Sequence, residues 1–325
     1  MDMWEHILSF NALLVLGGTA LLGLACGVVG SFTVLRERAL IGDCVAHAAL
    51  PGMCISFLLF HERSFLLLFL GAIIAGLISA WCVSAIRTHT RIKEDTALAL
   101  VLSAFFGLGI ALSRYAQNQP RGIQAGLDTF ILGKAATMAS SDVVVIGCIA
   151  AITIITCVLF FKEFTLLCFD REFAITQGYA VRALDVALMA LVALCTAAGL
   201  PAVGAVLIVA LLIFPPATAR LWTDRIGPMV GLSGLFGVLA AVSGSILSAA
   251  TPPSIVQHGL PTGPVIVLAA AILFTLSLLF APAHQLHLRQ SALGCRPTQT
   301  TSNSPRHCPG LGQLQGLRLA FLASF

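Results

Sequence analysis

Residues 31–52, SFTVLRERALIGDCVAHAALPG, place a carboxylate and an imidazole inside a long apolar stretch. The charged triplet at 36–38 closes one apolar run, and the next run, residues 39–60, contains Asp43 and His47. Runs of this length are typical of membrane helices, because a bilayer crossing takes about 20 predominantly apolar residues. The stretch therefore predicts two membrane helices joined by a short charged loop, the second of which holds one acid and one histidine.

Apolar character extends over most of the chain. Hydrophobic residues make up 58% of the 325 residues and charged residues 10%, whereas soluble domains are about half apolar and about a quarter charged. The apolar runs predict an all-α polytopic membrane protein whose single transmembrane domain, residues 1–285, has eight to nine helices. The formal net charge of +4 is spread over short loops, so we expect no nucleic-acid partner.

The choice between eight and nine crossings depends on GLPAVG at 199–204, where Gly and Pro interrupt a long apolar run. Lys and Arg residues flanking the runs place a set of loops in the cytoplasm, namely 36–38, 87–93, 162–182, 220–225 and 284–289. This pattern predicts a multi-pass protein of the cytoplasmic (inner) membrane. Residues 286–325 are rich in Ser, Thr, Pro and Gln, which predicts a disordered cytoplasmic tail.

Asp43 and His47 are candidate metal ligands. They are four residues apart, so a helix places them on one face at about 5–6 Å between Cβ atoms. A carboxylate inside a membrane costs about 2.5–3.5 kcal/mol or more, which favours a role at a pathway or a partner. Oxygen and imidazole ligands suit manganese, iron and zinc. The alternative is that the two side chains simply bond to each other or to a neighbouring helix.

Two ligands are too few for a tight metal site formed by one chain. If a second subunit offered the same pair across a central pathway, the ligands of both subunits would converge on one ion. Such a sparse site would also release its ion readily, as transport requires.

Residues 162–186 form the longest charged interval between apolar runs, and their pattern is typical of an amphipathic helix that docks onto a partner outside the bilayer. The chain contains no G-x-x-x-x-G-K-[ST] run, which is the loop that cradles nucleotide phosphates. We therefore predict a non-catalytic subunit. If transport is driven by ATP, another subunit hydrolyses it.

The signature stretch at 31–52 closely resembles that of the family 3 metal-transporting ABC permeases. Further stretches resemble the same family in the same order: LDTFILGKAATMASSD at 127–142, FTLLCFDREFAITQGY at 164–179, VGAVLIVALLIFPPATARL at 203–221 and PTGPVIVL at 261–268. The resemblance implies the ABC importer permease fold. It also implies that Asp43 and His47 line a pathway for manganese, zinc or iron, as transported substrate and not as a permanently bound cofactor.

The same resemblance implies partners and a docking element. The partners would be a second permease subunit, identical or paralogous, a cytoplasmic ABC ATPase dimer, and an extracytoplasmic metal-binding protein. The coupling helix would lie at about 168–181, where Asp170, Glu172, Phe173 and Gly178 would contact the ATPase.

The alternative function is a secondary metal transporter coupled to protons or sodium, with Asp43 as its proton or cation site. The chain shows no inverted repeat, and the docking-like interval at 162–186 is not expected in such a carrier. Both observations argue for the ATP-driven importer.

Overall fold

Regular structure is entirely α-helical in the part of the chain that the computed structural model describes, residues 10–36, 40–60, 65–118, 140–250 and 262–280. The helices in chain order are α1 Phe10–Leu35, α2 Leu40–Phe60, α3 Phe65–His89, α4 Glu94–Gln117, α5 Ser140–Leu159, α6 Phe161–Phe169, α7 Arg171–Thr176, α8 Val181–Val203, α9 Ala205–Trp222, α10 Ile226–Ala250 and α11 Thr262–Phe280. The predicted tail, residues 286–325, lies outside the described residues.

Within those residues, nine helices are long and apolar enough to cross a membrane, namely all except the short α6 and α7. The prediction of an all-α polytopic membrane protein is thereby confirmed. The interruption at 199–204 separates two of the nine, because α8 ends at Val203 and α9 begins at Ala205. Gly204 between them has a φ of +88°, a conformation that residues with a Cβ rarely adopt.

Helix backbones approach one another closely where small residues face each other. Ser233 Oγ in α10 donates a hydrogen bond to the carbonyl of Gly27 in α1 at 2.6 Å, and α1 and α10 pack together more extensively than any other pair of described helices. Gly52 of α2 and Gly71 of α3 meet in the same way, since a Cβ on either would strike the other's carbonyl. Lipid gives helices no hydrophobic reason to associate, so this close van der Waals contact holds them together.

The close contacts divide the transmembrane helices into two groups. One group is α2, α3 and α4, and the other contains α1, α9, α10 and α11. Helix α8 packs against members of both groups and against α5. The helix that contains Asp43 and His47 therefore belongs to one group, and α8, together with a contact between α2 and α9, joins that group to the rest of the described helices.

The structure also brings the ends of distant segments together. Phe32 near the end of α1 packs on Phe164 of α6, with ring centroids 5.6 Å apart, and Arg36 pairs with Asp185 of α8. Arg36 and the segment 162–182, both predicted to be cytoplasmic from the charge around them, thus lie at one end of the helices.

The α1–α10 contact gives a direct test of this packing. We expect Gly237→Ala to destabilise the protein by about 1–3 kcal/mol, as overpacking of a tight contact does, because the added Cβ would fall on the carbonyl of Gly23. Gly231→Ala in the same helix is the matched control, since an added Cβ there meets no atom within 4 Å. The thermal midpoints of the purified variants in detergent measure the difference. Equal thermal midpoints for Gly237→Ala and Gly231→Ala would contradict the close contact between α1 and α10.

Candidate metal site

Helix α2 brings Asp43 and His47 into direct contact. Asp43 Oδ1 lies 3.3 Å from His47 Nε2, so the two predicted ligands form one cluster. Asp43 is in the first turn of α2, nearer the helix end than its apolar surroundings in the sequence suggest. The unpaired backbone N–H groups of a helix N-terminus favour a negative charge. The helix N-terminus therefore stabilises the Asp43 carboxylate, and a bound metal need not offset the whole cost of placing this charge in the membrane.

The exposure pattern of α2 singles out these two residues. From Ile41 to Cys54 all residues except Asp43 and His47 are buried. The side chains of His47 and Asp43 are 28% and 35% exposed. Within this stretch of α2, the carboxylate and the imidazole are thus the only partly exposed side chains.

Phe106 of α4 completes the surroundings of the imidazole. Its ring contacts His47 edge to face, with centroids 4.9 Å apart and an interplanar angle of 76°. His47 Nδ1 is buried and has no hydrogen-bond partner among the described residues, although metal-binding histidines usually donate their second nitrogen to a carboxylate or carbonyl. The imidazole orientation is therefore set by Phe106 and by Asp43.

Phe106 could not be identified from the sequence, because the contact joins two different helices. The sequence feature that brings Phe106 close to His47 is Gly109, which lies one turn further along α4. A Cβ at Gly109 would lie 3.0 Å from Leu50 Cβ and from Pro51 Cδ, so this glycine lets α4 approach α2 closely. A single sequence contains many such glycines and does not say which helix each one faces.

The described residues contain no group of three or more His, Cys, Asp or Glu side chains arranged to hold a metal ion. Cys44, next to Asp43 in sequence, is buried and its thiol donates to the carbonyl of Leu98 at 3.7 Å. The candidate site of one chain therefore consists of one carboxylate and one imidazole.

The predicted coupling residues lie together in a second place, on and around α7. The segment expected as one helix at 168–181 contains the end of α6, the short helix α7 and a turn before α8. The break occurs because the Asp170 carboxylate caps α7 and accepts a hydrogen bond from the backbone N–H of Phe173 at 2.9 Å. Gly178 has a φ of +82° and ends the segment.

The surface of this coupling segment is apolar as well as charged. Phe169 is 63% exposed, Phe173 49% and Ile175 57%, and the charged Glu172 lies among them, also exposed. Exposed aromatic residues at the end of a helix bundle are typical of a surface that binds another protein.

A family model for the ABC 3 transport family matches residues 8–281. The chain belongs to the ABC 3 transport family. The resemblance seen at 31–52 is thereby confirmed, and so is the ABC permease fold. With nine apolar helices in its described residues, this ABC 3 family member is a multi-pass protein of the cytoplasmic membrane.

Relatives cover most of this ABC 3 family chain. It is 42% identical over 285 residues to the manganese transport system membrane protein MntC of Bacillus subtilis, spanning 88% of the chain and 64% of the relative. It is 40% identical over 265 residues to the zinc transport system membrane protein TroC of Treponema pallidum, spanning 82% and 87%. Among solved structures, PsaBC from Streptococcus pneumoniae in complex with Fab matches with a TM-score of 0.75 and 31% identity, covering 88% and 98%.

The role of Phe106 can be tested by binding. Aromatic edge contacts contribute about 0.5–1.5 kcal/mol, so we expect Phe106→Ala to weaken equilibrium binding of Mn²⁺ to the purified chain by up to about tenfold. Phe105→Ala removes the neighbouring ring and serves as the matched control, for which we expect unchanged binding. Isothermal titration of both variants measures the effect. Equal affinities would exclude Phe106 from the site.

Proposed function

We propose that this chain is the membrane-spanning permease subunit of an ATP-binding cassette importer that carries a divalent transition metal. The accessible face of α2 is the main support, because Asp43 and His47 are the two positions open to an ion in the otherwise buried stretch 41–54. Membership of the ABC 3 transport family and relatives named for manganese and zinc transport support the same function.

The chemistry of the two ligands limits which metals the site can bind. One carboxylate oxygen and one imidazole nitrogen suit manganese, zinc and iron, whereas copper(I) prefers sulfur ligands and calcium binds six to eight oxygens. Manganese and zinc are the first candidates, since relatives are named for their transport. Iron is compatible with the same ligands.

A second permease subunit would supply the remaining ligands. Two chains that face each other across a pathway would each contribute Asp43 and His47, which gives four protein ligands to one ion. This count suits a metal that must be held for selection and then released.

Energy would come from another protein. We assign ATP hydrolysis to a cytoplasmic ATPase dimer that docks on the coupling segment, residues 168–181, and metal delivery to an extracytoplasmic binding protein. The chain itself would be non-catalytic. The exposed Phe173 and Glu172 provide an apolar anchor and a charge for this docking.

Substitution of the two ligands tests the transport function. We expect Asp43→Asn and His47→Ala to abolish uptake of radiolabelled Mn²⁺ and Zn²⁺ by cells that express the variant in place of the native chain, because each removes one of the two ligands that each chain would supply. Cys44→Ala is the control, since its buried thiol faces Leu98 and not the pair. Immunoblots of membranes verify that all variants accumulate. Normal uptake by both ligand variants would exclude this site.

Docking of the ATPase is tested by copurification. An exposed charge contributes about 0.2–1 kcal/mol, so we expect Glu172→Lys to weaken recovery of the ATPase by up to about fivefold, and Phe173→Ala to weaken it further. Asp224→Lys reverses an exposed acid between α9 and α10 and is the matched control.

Asp170 needs a pair of variants because it has two roles. Asp170→Asn keeps the side-chain acceptor that caps α7, whereas Asp170→Ala removes it. If Asp170 contributes its charge to docking, less of the ATPase copurifies with both variants. If Asp170 only caps α7, the ATPase still copurifies with Asp170→Asn. Full recovery of the ATPase by every variant, including Phe173→Ala, would show that it docks elsewhere.

A further inference from the structure

A buried ion pair joins α1 to α8. The Arg36 guanidinium bonds to the Asp185 carboxylate, and the two side chains are only 7% and 12% exposed. Asp185 lies inside the candidate span Ala183–Leu200, although the sequence pattern assigned it to a charged helix outside the bilayer. A buried charge that loses its partner is strongly destabilised, so these two residues hold each other in place.

The pair connects the two functional segments of the chain. Arg36 follows the end of α1, and α2, which contains Asp43, begins four positions later at Leu40. Asp185 lies near the start of α8, which directly follows the coupling segment 168–181. The ion pair thus lies between the coupling segment and the beginning of α2.

Aromatic contacts reinforce this connection. The ring of Phe32 in α1 is fully buried and packs against Phe161 and Phe164 of α6, with centroids 6.0 and 5.6 Å apart. The Cys168 thiol donates to the carbonyl of Phe32 at 3.7 Å. Burial raises the pKa of Cys168 to about 11, against the opposing effect of nearby Arg36, so this thiol remains a donor at neutral pH.

Helix α2 meets α1 and α8 at the same point. A small cavity beside the ion pair is lined by Thr33 of α1, Ile41 of α2 and Leu188 of α8. Ile41 is two residues from Asp43. Gly42, between them, faces the end of the flexible Leu212 side chain of α9, whereas α2 meets α3 backbone to backbone at Gly52 and Gly71. Within its own group, α2 thus makes close backbone contact with α3, whereas at Gly42 it meets α9 through a flexible side chain.

We infer that Arg36 and Asp185 are positioning residues that transmit displacement of the coupling segment to the start of α2 during the transport cycle, and so couple ATP hydrolysis to movement of the helix that contains Asp43 and His47. This inference rests on the proposed transport function. A merely structural pair would affect the stability of the protein and leave the amount of metal moved per ATP unchanged.

The test uses the full chain in complex with its copurifying ATPase, with Mn²⁺ as the probe. We expect Asp185→Asn and Arg36→Gln to leave equilibrium Mn²⁺ binding unchanged and to lower the ratio of Mn²⁺ transported to ATP hydrolysed by about 2- to 30-fold, the range found for residues that couple distant sites. The swapped double variant, Arg36→Asp with Asp185→Arg, restores the pair with reversed charges and is expected to recover part of the ratio.

The outcomes separate this inference from the function on which it rests. If the unmodified complex neither binds nor transports Mn²⁺ or Zn²⁺, the proposed function fails. If it transports normally and Asp185→Asn keeps the same ratio, the coupling role of the pair is wrong. Asp185→Glu, which keeps the charge, replaces the swapped variant if that variant does not accumulate; a ratio as low as that of Asp185→Asn would also overturn the inference.

Discussion

Close contact between helix backbones at small residues is the constraint on which this fold depends. Apolar side chains gain nothing from meeting one another instead of lipid, so helices associate where their surfaces fit most closely. The Gly27–Ser233 crossing fixes α10 on α1, and the Gly52–Gly71 crossing fixes α3 on α2. These crossings determine which helices move together. They leave α2, with its two polar residues, in a different group from α1, although only a short loop joins the two helices.

The location of the site follows from this division. A helix buried on all sides could not offer ligands to a passing ion, and a fully exposed helix would present Asp43 to lipid, where a carboxylate is costly. Residues 41–54 of α2 pack among neighbouring helices, chiefly α3 and α4, and within that stretch only the carboxylate and the imidazole are partly exposed. The helix N-terminus supports the carboxylate electrostatically, and Phe106 supports the imidazole by contact.

Much of this architecture could be predicted from the sequence, because membrane helices are encoded locally. Apolar length gave the spans, and the spacing of Asp43 and His47 placed both on one face of a single helix. Contacts between helices could not be predicted in that way. Asp185 was assigned to an amphipathic helix outside the bilayer because charged residues precede it, and its partner Arg36 lies far away in sequence. The coupling segment was expected to be one helix, since the capping role of Asp170 depends on its rotamer and on the backbone of Phe173.

The incompleteness of the site explains how an importer of this design can work. A histidine whose second nitrogen has a hydrogen-bond partner is a strong and fixed metal ligand, but His47 Nδ1 has none in the described part of the chain. In the proposed dimer, a carboxylate and such an imidazole would bind a divalent ion weakly until the second subunit added its own pair. The affinity would then depend on the distance between the two copies of α2. Movement that separates the two helices would convert a four-ligand site into two-ligand fragments, and the ion would leave without any change in the ligands themselves.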